Sequence, residues 1–246
     1  PPAELLDFVT HTTCPIVHAA DDISVMETLE ALPYVINSAK AITKGKPYHI
    51  GPTSIPARDN PYGAGVAANP GNGRVCLTDM DPRQRGLFGA AWTLGYVAAL
   101  AGSAASVAIG SVIGPQGMIY RKADYAQPGF DGGKAEVYPL YHVVAGLAGA
   151  SGAKRVAATS ADPSTIAAVA HRGKDGPVLW LANLTSEPKK AKVEGFKGAA
   201  SIQAVDLSNY GKALTDPKLL SKGAKTVKKL GTVELGPYAV IRIAAA

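Results

Sequence analysis

Groups that can move protons and hold developing negative charge gather at three places in this sequence. Residues 15–22, "PIVHAADD", bring His18, Asp21 and Asp22; residues 53–63, "TSIPARDNPYG", bring Ser54, Arg58, Asp59, Asn60 and Tyr62; Ser111 follows in "ASVAIGS". An imidazole such as His18 can serve as general base or oxyanion donor, and Asp21 is the alternative base beside it. The planar guanidinium of Arg58 suits a carboxylate or a tetrahedral oxyanion. Ser54, Asp59, Asn60, Tyr62 and Ser111 would supply the contacts that hold a small polar substrate. Each group also has a structural alternative: His18 as a hydrogen-bonded core histidine, Asp21 or Asp22 as a helix cap, Arg58 as a loop brace.

Several other chemistries are excluded by missing patterns. The chain has no Gly-x-Ser-x-Gly elbow, since "GSVIG" sets its serine one place early, and no His-Glu-x-x-His helix, Walker loop or Cys-x-x-Cys pair. "GAGVAA" (63–68) has the glycine spacing of a dinucleotide-binding turn. The breakers Pro56, Asp59, Asn60 and Pro61 before it, and Asn69, Pro70, Gly71, Asn72 and Gly73 after it, exclude the strand and helix that such a turn must join. His11, Cys14 and His18 are near one another in sequence, yet strand alternation would send them to different faces. No metal and no cofactor is expected.

The elements that must position these groups alternate in type. "CPIVHA" (14–19) is a continuously apolar run that reads as a buried parallel strand. A helix over 24–42 follows, with Ser24 and Glu27 at capping-box spacing, Met26, Leu29, Ile36 and Ala39 on one face, a bend at Pro33 and Gly45 beyond its end. "KPYHIGPTSI" (46–55) is the second strand, and "DPRQRGLFGAAWTLGYVAALAG" the second helix, capped by Asp81 with Pro82 first. "ASVAIGS" (105–111) and a helix over 136–152 complete a β-α-β-α-β-α order, which implies parallel strands under covering helices. His18, Ser54 and Ser111 then stand beyond strand carboxyl ends, where such folds bind ligands. Two of the loops there run to about 25 residues, far longer than the usual two to six.

After Gly152 the pattern changes to short alternating runs, "IAAVAHR", "GPVLWLANL", "AKVEGF", "SIQAVDL" and "TVELGPYAVIRIA", with Asp175-Gly176 turning the first pair. The fold class is therefore α/β followed by all-β: residues 1–155 as a βα domain and 156–246 as an antiparallel β-sandwich.

The 246 residues are 47% hydrophobic and 18% charged, the composition of a globular protein. No apolar run reaches the roughly 18 residues of a membrane span, and "PPAELLDF" offers neither leader nor initiator Met, so a piece of a longer protein without a membrane segment is expected. Cys14 and Cys76 are too few for a disulfide framework and point to reduced thiols in the cytoplasm. The net charge of +6 sits in the second part, where bases outnumber acids about two to one. Its lysines are scattered among few aromatics, which reads as a solvated face and not as a nucleic-acid surface.

Three long strings, "PIVHAADDISVMETLEALPYV", "GPTSIPARDNPYG" and "MDPRQRGLFGAAWTLGYVAAL", resemble the D-apionate lactonase family. That family is similar to retaining (β/α)8 glycosidases in layout, and "VELGPYAVIRI" is similar to the last strand of their sandwiches. The resemblance implies that this chain holds the last three βα units of a (β/α)8 barrel and its sandwich, the N-terminal barrel half lying outside it. It also implies hydrolysis of a sugar-acid lactone, the small-molecule partner. The strand over 46–55 ends without the glutamate that glycosidases of this layout use as nucleophile, and retaining glycoside cleavage needs two carboxylates. The same residues leave two alternatives: a glycosidase whose glutamates lie outside this stretch, or a carbohydrate-binding module without catalysis.

Overall fold

The computed structural model describes residues 2–109 and 111–246; Gly110, at the end of the strand expected over 105–111, lies outside the described residues. The first three strands are β1 (Val9–Thr13), β2 (Tyr48–Thr53) and β3 (Ser106–Ile109), each parallel to the next in the order β1-β2-β3. Between and after them run α1 (Asp22–Thr43), α2 (Leu87–Leu100) and α3 (Leu140–Ala148).

The first strand lies earlier than expected. "VTHTT", rich in β-branched residues, forms β1, while 14–19 is irregular. Pro15 cannot donate to a ladder. The apolarity of this stretch serves burial beneath a loop instead: Ile16 is fully buried, and its carbonyl accepts from the Leu77 amide at 2.8 Å. Helix α1 also starts early, because Asp21 and not Ser24 is its cap; the Asp21 carboxylate accepts from the Ser24 amide at 2.9 Å. Val25, Met26, Leu29, Leu32 and Ile36 form its buried stripe.

Asp81 caps a short 3-10 turn, Pro82–Arg85, and α2 begins only after Gly86 breaks the chain with extended angles. The turn lies so close on the helix that a Cβ at Gly89 would stand 2.7 Å from the Arg83 carbonyl oxygen. The third helix starts at Leu140, later than expected, since the residues before Pro139 are used elsewhere. Val137 bridges Ile119, and the Glu136 amide donates to the Leu214 carbonyl.

The sandwich comprises β4 (Arg155–Val156), β5 (Ile166–Arg172), β6 (Pro177–Asn183), β7 (Lys189–Lys192), β8 (Ala200–Val205), the short helix α4 (Tyr210–Thr215), β9 (Lys225–Val227), β10 (Thr232–Leu235) and β11 (Val240–Ala245). One antiparallel sheet has the order β4-β5-β6-β11-β8-β9, and β10-β7 is a second, two-stranded sheet. Leu181, Leu235, Ile241 and Ile243 belong to one sandwich core. The opposite face of the large sheet, with Val178, Trp180 and Val240, joins the core that contains α1 and α2. Helix α2 is apolar nearly all round, as a helix buried on every side must be. Gly95 on it sits between Leu29 of α1 and Leu184 of the sandwich. The two units thus share one wall.

On the three-stranded sheet, Tyr48 and Ile50 are buried in that shared core. Thr10, His49 and Ser106 are aligned across the strands; Thr10 and Ser106 are exposed and His49 is half-buried. One face of the sheet is therefore polar, which is unlike a packed barrel interior.

Candidate functional site

Beyond the carboxyl ends of β1, β2 and β3 the described chain is irregular over residues 54–81 and 111–139, broken only by isolated bridges. Two glutamine side chains fasten these loops. Gln84 accepts from the Ile55 amide at 3.2 Å and donates to the Gly117 carbonyl at 3.0 Å; Gln116 donates to the Ala57 carbonyl at 2.6 Å. Residues 77 and 78 run between the first two strand ends, the Leu77 amide donating to Ile16 and the Thr78 carbonyl accepting from Ala57. Beneath them the hydroxyls of Thr13, Thr53 and Tyr96 are linked, and burial raises the Tyr96 pKa so that it stays a neutral phenol.

Within this frame the residues singled out by sequence separate into two groups. His18 is exposed, with its ring centroid 6.3 Å from that of Tyr62, which is itself 74% exposed. Arg58 donates from Nη2 to the Ser111 hydroxyl at 2.8 Å, and partial burial lowers its guanidinium pKa. Arg58 and Tyr62 share one loop, so two available pairs, His18 with Tyr62 and Arg58 with Ser111, flank it. Among the described residues no hydrogen bond joins the two pairs.

The other candidates are engaged in holding the chain. Asn60 accepts from the Tyr62 amide and donates to the Gly65 carbonyl, and Asp59 accepts from the Asn60 amide. Ser54 is only 3% exposed and donates to the Pro56 carbonyl. Asp21 caps α1, and its hydrogen bonds from Ser24 lower its pKa. Asp22 is partly desolvated, which by itself would raise its pKa, but the hydrogen bonds and charges of Arg74 and Arg83 prevail and lower it. His11, Cys14 and His18 point to separate partners, Tyr48, the Ile55 carbonyl and Tyr62 respectively. Among the described residues no three His, Cys, Asp or Glu side chains come close enough to hold a metal ion.

One constellation exceeds what the sequence suggested. Arg83 is almost fully buried and uses its whole fork. Nε and Nη2 donate to Asp81 at 2.9 and 2.6 Å, and Nη1 donates to Asp22 at 3.1 Å. Arg74 adds two bonds to Asp22, at 3.1 and 3.0 Å. The guanidinium carbon of Arg83 lies 5.5 Å from the Phe88 ring centroid, and Phe88 in turn meets Tyr238 from the β10–β11 turn. "DPRQR" signalled the local Asp81–Arg83 pair; the link to Asp22, 61 residues earlier, is visible only in space.

A parallel βα layer with long loops at the strand carboxyl ends, joined through one helix to an antiparallel sandwich, is a barrel-plus-sandwich architecture. An arabinofuranosidase crystal structure matches 98% of this chain and 53% of its own at a TM-score of 0.60 and 13% identity. A thermostable GH51 α-L-arabinofuranosidase from Thermotoga petrophila RKU-1 matches with the same coverages and identity at a TM-score of 0.55. At such identities the likeness is one of fold alone.

The chain belongs to the D-apionate lactonase family. The family's TIM barrel domain matches residues 1–152 and its C-terminal immunoglobulin-like domain residues 163–243. The D-apionate lactonase of Brucella anthropi is 39% identical over 196 residues, covering 79% of this chain and 30% of the relative. The chain thus spans under a third of the length of this relative. No helix among the described residues is long and apolar enough to cross a membrane.

Proposed function

We propose that this chain is the last part of an enzyme that hydrolyses a sugar-acid lactone of the D-apionolactone type to the open acid. The observation that carries this reading is the distribution of charge at the strand ends. Among the described residues His18 and Arg58 have no carboxylate within salt-bridge distance, and the carboxylates beside the ends of β1 and β2, Asp21, Asp22, Asp59 and Asp81, are each committed to backbone amides or arginines. Asp79 and Asp124, farther along the long loops, are the uncommitted aspartates. A retaining glycosidase needs two free carboxylates about 5–5.5 Å apart. Lactone opening asks instead for a base, a donor for the oxyanion and an acid for the leaving ring oxygen.

In this reading His18 takes a proton from the attacking water, whose oxygen bonds to the lactone carbonyl carbon. The electron pair displaced onto the carbonyl oxygen meets the Arg58 guanidinium, steadied by Ser111. Collapse breaks the bond to the ring oxygen, which leaves as a hydroxyl with a proton from a group on strands outside this chain. Tyr62 forms a wall beside the substrate, and Asn60 and Asp59 hold the loop that carries it.

The three βα units are, on the same reading, the last three of an eightfold barrel, with earlier strands of the same protein closing over the polar face of Thr10, Thr12, His49 and Ser106. The unpaired Cys14 and Cys76 support a reducing, cytoplasmic setting in the breakdown of a branched sugar acid. Glycoside hydrolysis is the second reading, favoured by the likeness to the arabinofuranosidase fold.

The test uses the full-length enzyme with aldonolactones and with aryl glycosides, following acid release against aryl release. Lactone turnover that falls at least about a hundredfold in His18→Ala, with no aryl release, supports the proposal. Aryl release without acid release would establish the second reading, and sugar binding without either turnover a non-catalytic module.

A further inference from the structure

Three basic side chains of the sandwich, Arg172, Lys174 and Arg242, line a second concavity that shares no residue with the strand-end loops. A crevice of about 570 Å³ opens between the turn that ends α3, the β5–β6 hairpin and the last residues of β11. This crevice lies where helix α3 ends, and its lining does not include His18, Arg58, Tyr62 or Ser111. Its walls are small residues, among them Gly149, Gly152 and Gly176. Its charged lining is Arg172, Lys174 and Arg242 against a single carboxylate, Asp175, with the His171 ring beside them.

Arg242 is the central observation. It is paired in register with Trp180 and Gln203, on the face of the large sheet that turns toward the helices. It is half-buried, and its one hydrogen-bond partner among the described residues is the neutral Gln203 side chain at 2.9 Å. No carboxylate lies within salt-bridge distance of Arg172, Lys174 or Arg242 among the described residues. Withdrawing a guanidinium from water without a counter-charge is costly, and desolvation lowers its pKa accordingly. His171 adds a ring Nε2 that is covered from solvent and has no partner. The carbonyl end of α3, worth roughly half a negative charge, and Asp175 offset only part of the three permanent cations.

We propose that this crevice binds a small oxyanion carrying at least two negative charges, a phosphoryl group held by Arg242 at the floor and by Arg172 and Lys174 at the rim. The volume admits a phosphorylated sugar as well as free phosphate, being within the usual range of small-ligand sites. Its position at the junction of two structural units is also where such sites recur. The inference is independent of the lactone reading.

Calorimetric titration of the full-length enzyme at low ionic strength tests it, with inorganic phosphate, pyrophosphate and glucose 6-phosphate as probes. Pyrophosphate is expected to bind one to one with a dissociation constant below about 1 mM. Arg242→Gln should weaken it at least about tenfold, the usual loss for a charge-assisted hydrogen bond. The double variant Arg172→Gln, Lys174→Gln changes only exposed side chains and should weaken it similarly, which keeps the test valid if Arg242→Gln folds poorly. Lys190→Gln, on the small sheet, should leave binding unchanged. Equal affinity for phosphate and glucose 6-phosphate would mark free phosphate as the ligand, and tighter sugar phosphate a phosphorylated metabolite. Absence of saturable binding by every probe, or binding that survives both sets of crevice variants, overturns the proposal.

Discussion

Arg58 reaches across from the loop after β2 to donate to Ser111 in the loop after β3, at 2.8 Å, and so joins two strand ends through one exposed guanidinium. A hydroxyl accepts that bond without neutralising the charge. The remaining donors of the fork stay available to an anion.

If Arg58 meets the oxyanion, Arg58→Ala in the full-length enzyme lowers kcat/KM for lactone at least about a hundredfold. Arg58→Lys restores the charge but not the planar fork and recovers only part of it. Ser111→Ala costs far less, because the serine only orients the guanidinium. All three should unfold within about 0.5 kcal/mol of the parent, since the pair is exposed. Steady-state kinetics with urea titrations checks this; an Arg58→Ala enzyme of near-parental kcat/KM makes Arg58 a loop brace.

The Asp22–Arg83–Asp81 arrangement calls for the opposite outcome. Arg83→Met keeps much of the side-chain volume but leaves the fully buried Asp81 carboxylate without its partner. Loss of one member of a buried pair typically costs about 3–5 kcal/mol. The urea midpoint should fall accordingly, and Asp22→Asn, at a half-exposed carboxylate, should lower it much less. Equal small losses in both variants would show that the cluster contributes little to stability.

What the sequence disclosed and what it concealed divide along a physical line. The alternation of βα units, the change to short strands after Gly152 and the Asp81 cap were legible because periodicity and capping are local. The first strand was misplaced because "CPIVHA" is apolar for a non-local reason, burial under the segment that includes Leu77, which no window of neighbours reveals. His18 and Arg58 were expected at strand ends; the structure exposes both, but His18 stands in the irregular segment after β1 and not at the end of a strand. The role of Ser54 was not legible: its hydroxyl turns inward to Pro56, a choice made by the loop's own fold. Likewise Asp22 reads as a capping residue until Arg74 and Arg83 arrive from the far end of a long loop.

Two glycines separate rigid from yielding contacts. A Cβ at Gly146 would stand 2.4 and 2.5 Å from two atoms of the Trp180 indole, a flat ring locked in the core. A Cβ at Gly95 would stand 2.6 Å from Leu29 Cδ1 and 3.2 Å from Leu184 Cδ2, the ends of side chains that can rotate. Alanine gains about 1 kcal/mol of helix propensity at either position. Overpacking of about 1–3 kcal/mol or more should outweigh that gain at Gly146 and roughly balance it at Gly95. Urea unfolding of the two variants decides; a Gly146→Ala protein as stable as the parent would show that the indole yields.

His142 links stability to pH through burial. It is 2% exposed, and its Nε2 donates to the Ala213 carbonyl at 2.8 Å. Desolvation holds its pKa below the ordinary histidine value, although the bond to Ala213 and the charge of Asp216 act in the other direction. In the unfolded chain the imidazole titrates near 6.5. As pH falls through that value the unfolded state takes up a proton that the folded state refuses, so unfolding becomes easier. The stability contributed by neutral His142 is complete above about pH 7.5 and is lost progressively below 6.5, at up to about 1.4 kcal/mol per pH unit, until the lowered folded pKa is reached. The depressed carboxylate of Asp22 acts in the same direction but only near and below its unfolded pKa of about 3.9, outside this window. His142→Gln keeps an N–H donor for Ala213 and cannot titrate. Its unfolding free energy between pH 7.5 and 5.5 should therefore vary less than that of the parent, and parallel curves for the two proteins would assign the pH dependence to other groups.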